Sequence, residues 1–438
     1  MRANASDPRK VLLHSRPPTF NVNLTRPPGD RWIGVMGALG VLHPNTWSSI
    51  FAWHNDSLFN NIKGAEFDQI QTSIGHHFQE QDHEVRGMAR EFRKVGVPVS
   101  YQYLCAWAYS HELSHAESNI LSNGEGCTAI IAEDLEGDIH HVALMDQQPI
   151  EIRSVVLHVR FVIGDTLLFE GSDWYWFTTG LTRMVKKSTA SLQENWRWSP
   201  DKLLPRNIVT GDVRMGVIPQ SWVFRCVLME FCDFGILGSH LASMRLAAPY
   251  YVAIGGTRSA EGVVFARAGR GEAGTVSGPG IERLSPTTGI WYLVQTNNDR
   301  WKPDPTYDYR RTYAEVALVE AGRGRGSTAL GLLGVANIFP IRNPTTSHIV
   351  VMSAEKGTIE TFILEPTIVV DVDAYSRQGI AYARIDPMLY FGDPSKMMSN
   401  SIRERMSLSR HGLSGLVLVL LASLLILSRI QPRRQSAM

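Results

Sequence analysis

The run Cys127-Thr-Ala-Ile-Ile-Ala-Glu-Asp134 constrains this chain's fold more than any other segment. A turn of small residues, Asn123-Gly-Glu-Gly126, leads into it, and acidic residues and Gly137 close it. A short apolar run between turn signals reads as a buried strand, here with a cysteine at its very start. The thiol is thereby held on a rigid element beside a peptide bond. If the Gly126–Cys127 bond is cut, Cys127 becomes a new N-terminus that carries a nucleophile and an amine base on one residue.

The pattern changes at this point. Residues 1–30 are Pro-rich and extended, and residues 31–126 mix helical stretches such as Glu80 to Val95 and Tyr101 to Leu121. Beyond Cys127 come short strands and turns: Cys127–Ala132, Ile150–Val162, Leu167–Glu170 and a strand-rich stretch from Arg206 to Val217. Ser221 to Leu246 has helical period, and Tyr250–Ile254, Gly262–Ala266, Gly289–Thr296, His348–Ser353 and Thr358–Leu364 read as strands. Helices are expected at Arg311–Glu320 and Thr328–Val335. Strand clusters separated by helix groups suit a layered α/β or α+β arrangement.

With 44% hydrophobic and 19% charged residues, the chain has ample material for a core. Lys+Arg 43 against Asp+Glu 42 leaves no chain-wide basic surface, so nucleic acid is not an expected partner. The four cysteines, Cys105, Cys127, Cys226 and Cys232, form no CxxC pair, which argues against a zinc ribbon or a thioredoxin-type site. His111-Glu-Leu-Ser-His115 fits the helical zinc-hydrolase motif, but that motif needs a third ligand and no downstream pattern supplies one. Gly269-Arg-Gly271-Glu-Ala-Gly274 fits a dinucleotide loop, but Thr275-Val-Ser-Gly-Pro-Gly280 prevents a following helix, so it reads as a plain loop. No metal and no cofactor are expected.

Residues 412–428 carry no charge and are dominated by Leu, Val and Ile, with Arg410 before them and Arg429, Arg433 and Arg434 after. This is the short end of a membrane-spanning helix. The expected division is a pro-region 1–126, a core 127–374, a polar juxtamembrane stalk 375–411, a transmembrane helix 412–428 and a basic tail 429–438. Because Met1 to Lys10 is polar and holds no secretory core, the chain reads as tail-anchored or as starting downstream of its natural beginning. Sequons at Asn4, Asn23 and Asn55 fit luminal exposure.

Three blocks carry a family resemblance. Cys127-Thr-Ala-Ile-Ile-Ala132 resembles the Cys-Thr-Ser-Ile-Val-Ala of acid ceramidases and N-acylethanolamine-hydrolysing acid amidases, which are N-terminal-nucleophile cysteine hydrolases. Gln295-Thr-Asn-Asn-Asp-Arg-Trp-Lys-Pro303 followed by Asp308-Tyr-Arg-Arg311 is similar to their Thr-Asn-Tyr-Asp-His-Trp-Lys and Asp-Asp-Arg-Arg. Arg16-Pro-Pro-Thr-Phe-Asn-Val-Asn-Leu24 is similar to their Pro-Pro-Thr-Phe-Asn-Val-Ser-Leu. The resemblance runs from about residue 16 to 366. It implies an α+β fold, the four-layer αββα sandwich, with the C-terminal transmembrane helix appended.

The resemblance also implies roles. Cleavage between Gly126 and Cys127 frees the nucleophile Cys127, Asp146 holds its amine, Asn297 lies at the oxyanion, and Arg310 braces the site. Glu194, in Ala190-Ser-Leu-Gln-Glu-Asn195, matches a family glutamate more loosely. The implied reaction is hydrolysis of a lipid N-acyl amide, ceramide or an N-acylethanolamine, through an acyl-Cys127 intermediate. The two cleavage products stay associated, and the C-terminal helix puts the enzyme in the membrane of a lysosome or other endomembrane compartment. One departure stands out: where the family has an arginine before Asp146, this chain has Ala143. Losing that fixed charge disfavours the thiolate. Arg153 and His141 are candidates to replace it, and the alternative reading is a catalytically impaired relative that binds lipid or a protein partner.

Overall fold

The computed structural model describes residues 14–364 except 43, 60–61, 98, 115–125, 175–178, 198–205 and 270–279. All of these fall in one unit, Met1–Arg377, while 378–438 lie outside the described residues. In chain order the strands are β1 (His14–Ser15), β2 (Thr19–Asn23), β3 (Gly126–Glu133), β4 (Ile139–Asp146), β5 (Val156–Ile163), β6 (Thr166–Trp174), β7 (Arg183–Lys186), β8 (Ala190–Trp196), β9 (Tyr250–Gly255), β10 (Gly262–Ala266), β11 (Ile281–Arg283), β12 (Tyr292–Gln295), β13 (Thr346–Ser353) and β14 (Thr358–Leu364). The α-helices are α1 (Ile33–Leu42), α2 (Pro44–His54), α3 (Gly64–His77), α4 (Gln79–Lys94), α5 (Tyr101–Ala108), α6 (Ser110–Ser114), α7 (Arg206–Arg214), α8 (Gln220–Glu230), α9 (Phe234–Ser243), α10 (Arg310–Ala321), α11 (Arg323–Gly326) and α12 (Ala329–Ala336).

The strands form a six-stranded sheet, β1-β14-β13-β4-β3-β12, and an eight-stranded sheet, β11-β10-β9-β8-β7-β6-β5-β2. Pairing is antiparallel apart from β2 on β5. Every residue of β3 is buried, because both its faces are covered and the apolar run has no solvent side. Ile130 and Ala132 pack with Ala314, Leu318 and Leu332 of α10 and α12. Ala129 and Ile131, on the opposite face, pack with Tyr251, Ala253 and Val264 of the second sheet. The far face of that sheet meets helices α8 and α9, with Leu192, Val252 and Ile254 clustered with Trp222, Leu237 and Leu241. The layers therefore run helix, sheet, sheet, helix.

Polar side chains stitch the two sheets together. Ser191, Gln193 and Asn195 alternate along β8 and so share the face that meets the first sheet. The ring nitrogens of His141 lie 3.1 Å from Ser191 Oγ and 3.0 Å from Gln193 Oε1. Gln193 Nε2 donates to Thr128 O at 3.0 Å, and Asn195 Nδ2 to Gln295 O at 2.8 Å. Backbone carbonyls of β3 and the end of β12 are thus held at fixed positions opposite β8.

Segments on either side of Cys127 share one core. Glu84 of α4 accepts from Arg225 Nη1 and Nη2 of α8 at 2.5 and 2.6 Å, from Arg31 Nη1 at 2.8 Å and from Trp32 Nε1 at 2.9 Å. Burial opposes ionisation of Glu84, yet the Arg225 charge and these donors hold its carboxyl below the usual range. Tyr109 donates to Val217 O at 2.9 Å, and Ser221 to Ala108 O at 3.0 Å.

The structure differs from the sequence reading at several places. Arg206 to Val217 is not strand: α7 spans Arg206–Arg214. Its β-branched residues suggested a strand, but Val209 and Val213, four apart, are buried while Arg214 and Met215 are exposed, which is a helical stripe. Strands β4, β7 and β8 went unread, and Ile150–Val155, read as the start of a strand, is a 3-10 helix that precedes β5. Finally, the expected membrane-spanning helix is corrected. Among the described residues no helix is long and apolar enough to cross a membrane, and 412–428 lie outside the described residues, as do the stalk and tail. The described residues form a mixed α+β fold with no such helix among them, and the single-pass lysosomal or endomembrane placement and the membrane contact that depended on it are withdrawn.

Removing one partner of a buried ion pair leaves the other charge uncompensated, at a cost of about 3–5 kcal/mol. Glu84→Ala is expected to lose about that much in denaturant unfolding, whereas Glu360→Ala, whose partner Arg16 is exposed, should lose less than about 1 kcal/mol.

Candidate active site

Cys127, at the start of β3, is directly opposite Met145 of β4, and Gly126 is opposite Asp146. This register brings the residues on both sides of the Gly126–Cys127 bond to the end of β4, where Asp146 is buried. The strand β12 lies on the other side of β3 and delivers Asn297 just past its end. Helix α10 begins at Arg310, which is also the residue that joins these parts.

All five N–H donors of the Arg310 guanidinium have acceptors. Nε donates to Asp308 Oδ1 at 2.8 Å and Nη2 to Asp308 Oδ2 at 2.9 Å. Nη1 donates to Asp146 Oδ2 at 2.8 Å and to Cys127 O at 3.2 Å. The remaining Nη2 hydrogen goes to Asn297 Oδ1 at 2.8 Å. Burial opposes the charge of Arg310, but Asp308 and Asp146 outweigh it and raise its pKa. The Asp146 carboxyl is pushed up by burial against the pull of Arg310 and of Thr346, whose hydroxyl donates to Oδ1 at 2.5 Å.

Asn297 Oδ1 also accepts the Cys127 backbone N–H at 2.8 Å. Two donors converge on this one atom, which fixes the amide orientation: a flipped Asn would put N–H against N–H. Its Nδ2 donates one hydrogen to Trp196 O at 2.7 Å, and an amide NH2 carries two. Asn297 and Arg310 pack directly on Gly126, since a Cβ there would meet Asn297 Oδ1 at 2.4 Å and Arg310 Nη2 at 2.8 Å.

The Cys127 thiol is buried, which pushes its pKa up to about 12 against the pull of Arg183. Arg183 Nη2 lies 3.3 Å from Sγ, and Met145 Sδ lies 3.5 Å from it. Sequence reasoning missed Arg183 altogether. The two residues proposed to replace the charge missing at Ala143 are engaged elsewhere. Arg153 Nη2 donates to Pro344 O and Thr346 O at 2.8 and 2.7 Å. His141 is held in the sheet stitch, and burial lowers its pKa to about 4, so it is neutral.

Glu194 sits on the other face of β8 from Gln193, with Oε1 3.5 Å from His111 Nδ1. Burial first, then Asp173 and Glu112, push its pKa up to about 8 despite Arg183. It therefore stands beside the site's charges and not in the hydrogen-bonded cluster of Arg310. Glu112 of the zinc-like motif caps α8 instead, accepting from Gln220 N at 2.6 Å. Burial lowers the His111 pKa to about 3, and His115 lies outside the described residues, as do Gly271 and Gly274 of the dinucleotide-like loop. Asp134, Asp138 and His140 come close enough to hold a cation, but Lys356 Nζ already lies 3.0 Å from Asp138 Oδ2.

No family model matches the chain. The mouse (Mus musculus) N-acylethanolamine-hydrolyzing acid amidase is 33% identical over 368 residues, covering 82% of this chain and 91% of the relative. The chain belongs to the acid ceramidase and N-acylethanolamine-hydrolysing acid amidase family. It is accordingly an amide hydrolase. The acid ceramidase of Balaenoptera acutorostrata scammoni is 28% identical over 261 residues, 54% of this chain and 62% of the relative. The solved Caenorhabditis elegans N-acylethanolamine-hydrolyzing acid amidase ortholog is 24% identical, with a TM-score of 0.46, over 57% of this chain and 97% of that one.

Glu194 gives this family member a testable pH dependence. Its folded pKa is raised above the ordinary 4.5 to about 8, so the folded state binds the extra proton between those values. Its contribution to stability is present below about pH 4.5 and is lost as pH rises through 8. Glu194→Gln should match the parent's melting temperature at pH 5 and exceed it at pH 8, in paired thermal melts.

Proposed function

We propose that the chain cleaves itself before Cys127 and then hydrolyses lipid N-acyl amides, of the ceramide or N-acylethanolamine kind, through an acyl-Cys127 thioester. The observation that carries this reading is the Arg310 cluster, in which Cys127, Asp146 and Asn297 meet around the bond to be cut. In the first step Cys127 Sγ attacks the Gly126 carbonyl carbon. The C–N bond breaks, the thiol proton passes to the departing nitrogen, and water then hydrolyses the Gly126 thioester. The freed α-amine remains where Asn297 Oδ1 holds the nitrogen, beside the Asp146–Arg310 pair.

In turnover that amine takes the Cys127 thiol proton. The thiolate attacks the substrate carbonyl, the amine product leaves with a proton, and water releases the fatty acid. Arg310 fixes the Cys127 backbone, so the nucleophile and its base keep one geometry through both steps. After cleavage the part before Cys127 stays bound through Glu84–Arg225, Tyr109–Val217 and Glu112–Gln220. The names of the mouse and whale relatives motivate the substrate class.

Fatty-acid release from an N-acylethanolamine and from a ceramide, each presented in mixed micelles, tests the reading. Cys127→Ala should release none from either. Hydrolysis retained by Cys127→Ala would contradict the assignment of the nucleophile, and release from neither by the wild-type chain would contradict the substrate class.

A further inference from the structure

We propose that Arg183 is a catalytic residue of this chain: reaching from the facing sheet, it supplies at the Cys127 sulfur the fixed positive charge that the family carries at the position of Ala143. The inference rests on the reading of Cys127 as nucleophile.

The register makes the substitution possible. Ala143 and Met145 are two apart on β4 and share a face, and Met145 is opposite Cys127. Across the gap, Arg183 of β7 is opposite Gln193 of β8. Gln193 is a residue that crosses to β3, so Arg183 projects into the same space. Two strands from different sheets therefore address one sulfur. Where β4 offers only a methyl group, β7 offers a guanidinium, and both Ala143 and Arg183 are fully buried.

The bonding of Arg183 indicates what it is for. Nη1 is satisfied by Asp173 Oδ2 at 2.9 Å and also meets the Thr182 hydroxyl. Nη2 has two sulfurs in reach, Cys127 Sγ at 3.3 Å and Met145 Sδ at 3.4 Å, and Nε has no hydrogen-bond partner among the described residues. Neutral sulfur is a weak acceptor. The half of the guanidinium that faces Cys127 is thus poorly satisfied while Sγ is a thiol and gains a charge-assisted partner once Sγ is a thiolate. An interaction stronger with the reacting form than with the resting form is what accelerates a reaction.

Of the two cations that interact favourably with the Cys127 charge, Arg310 and Arg183, it is Arg183 that reaches the sulfur, while Arg310 meets Cys127 at its backbone oxygen. Glu194 and Asp146 disfavour the thiolate, while Arg183 favours it. Arg310 is committed to Asp308, Asp146 and Asn297. His348, with Nε2 3.7 Å from Asp173 Oδ1, is kept neutral by burial. A purely structural Arg183–Asp173 pair would need only Nη1, and it would not require a thiol as its neighbour.

The test reads the thiol, independently of hydrolysis. Alkylation of Cys127 by iodoacetamide is followed against pH by peptide mass spectrometry in the full chain, for the parent, Arg183→Gln, and Arg183→Gln with Ala143→Arg. Arg183→Gln should slow alkylation at pH 7 at least tenfold and move the profile to higher pH, and the added Ala143→Arg should recover most of the rate. Where Arg183→Gln alone does not fold, Asp173→Asn is compared with Asp173→Asn/Arg183→Gln, which removes the charge without stranding its partner, and the same displacement is expected. Superimposable profiles with and without the Arg183 charge in folded protein overturn the proposal. Hydrolysis surviving in Cys127→Ala would instead overturn the nucleophile assignment and leave these profiles unaffected.

Discussion

The site depends on one guanidinium. Arg310 starts a helix, yet its side chain spends every N–H on residues from three other places: Asp308 before the helix, Asp146 at the end of β4, and Cys127 and Asn297 on either side of the β3–β12 pair. A planar fork with five donors can do this, and a lysine's single ammonium cannot. Because Arg310 is buried against two carboxylates, its own charge is compensated and the geometry of the cluster is over-determined. The backbone at Cys127 is consequently fixed, which is the preorganisation that the proposed attack of Cys127 on an amide requires.

Around that fixed point the fold arranges two kinds of control. The sheet stitch of Ser191, Gln193 and Asn195 sets the separation of the two sheets, so a residue on β7 can touch a sulfur on β3. The helix layer sets the burial, which pushes Cys127, Glu194 and Asp146 toward their neutral forms. A charge placed in such surroundings is weakly screened, so relocating it from β4 to β7 preserves its effect although the sequence motif is broken.

Much of this was legible in the chain, for identifiable reasons. The strand at Cys127 was readable because both its faces are buried and Ala129–Ala132 is an unbroken apolar run. Asp146, Asn297 and Arg310 stood out only through the blocks around them, since no spacing rule joins positions so far apart; the structure brings all three to Cys127. Glu194 was placed close by, but on the helix-facing side of β8. Arg183 left no signal: Arg183-Met-Val-Lys186 is a four-residue strand with charges at both ends, and its importance comes from which sheet it faces. The stretch from Arg206 misled because β-branched residues were weighed above the four-residue spacing of Val209 and Val213. The apolar run at 412–428 suggested a membrane helix on composition alone, and no helix among the described residues answers to that description.

The most direct test of the account is intact mass and N-terminal sequencing of the full chain after incubation at acidic and neutral pH, beside Cys127→Ala. The account predicts two associated pieces in the parent, the second beginning at Cys127, and an uncut chain in the variant. A parent that stays whole at both pH values, or a variant cut at the same bond, would contradict it.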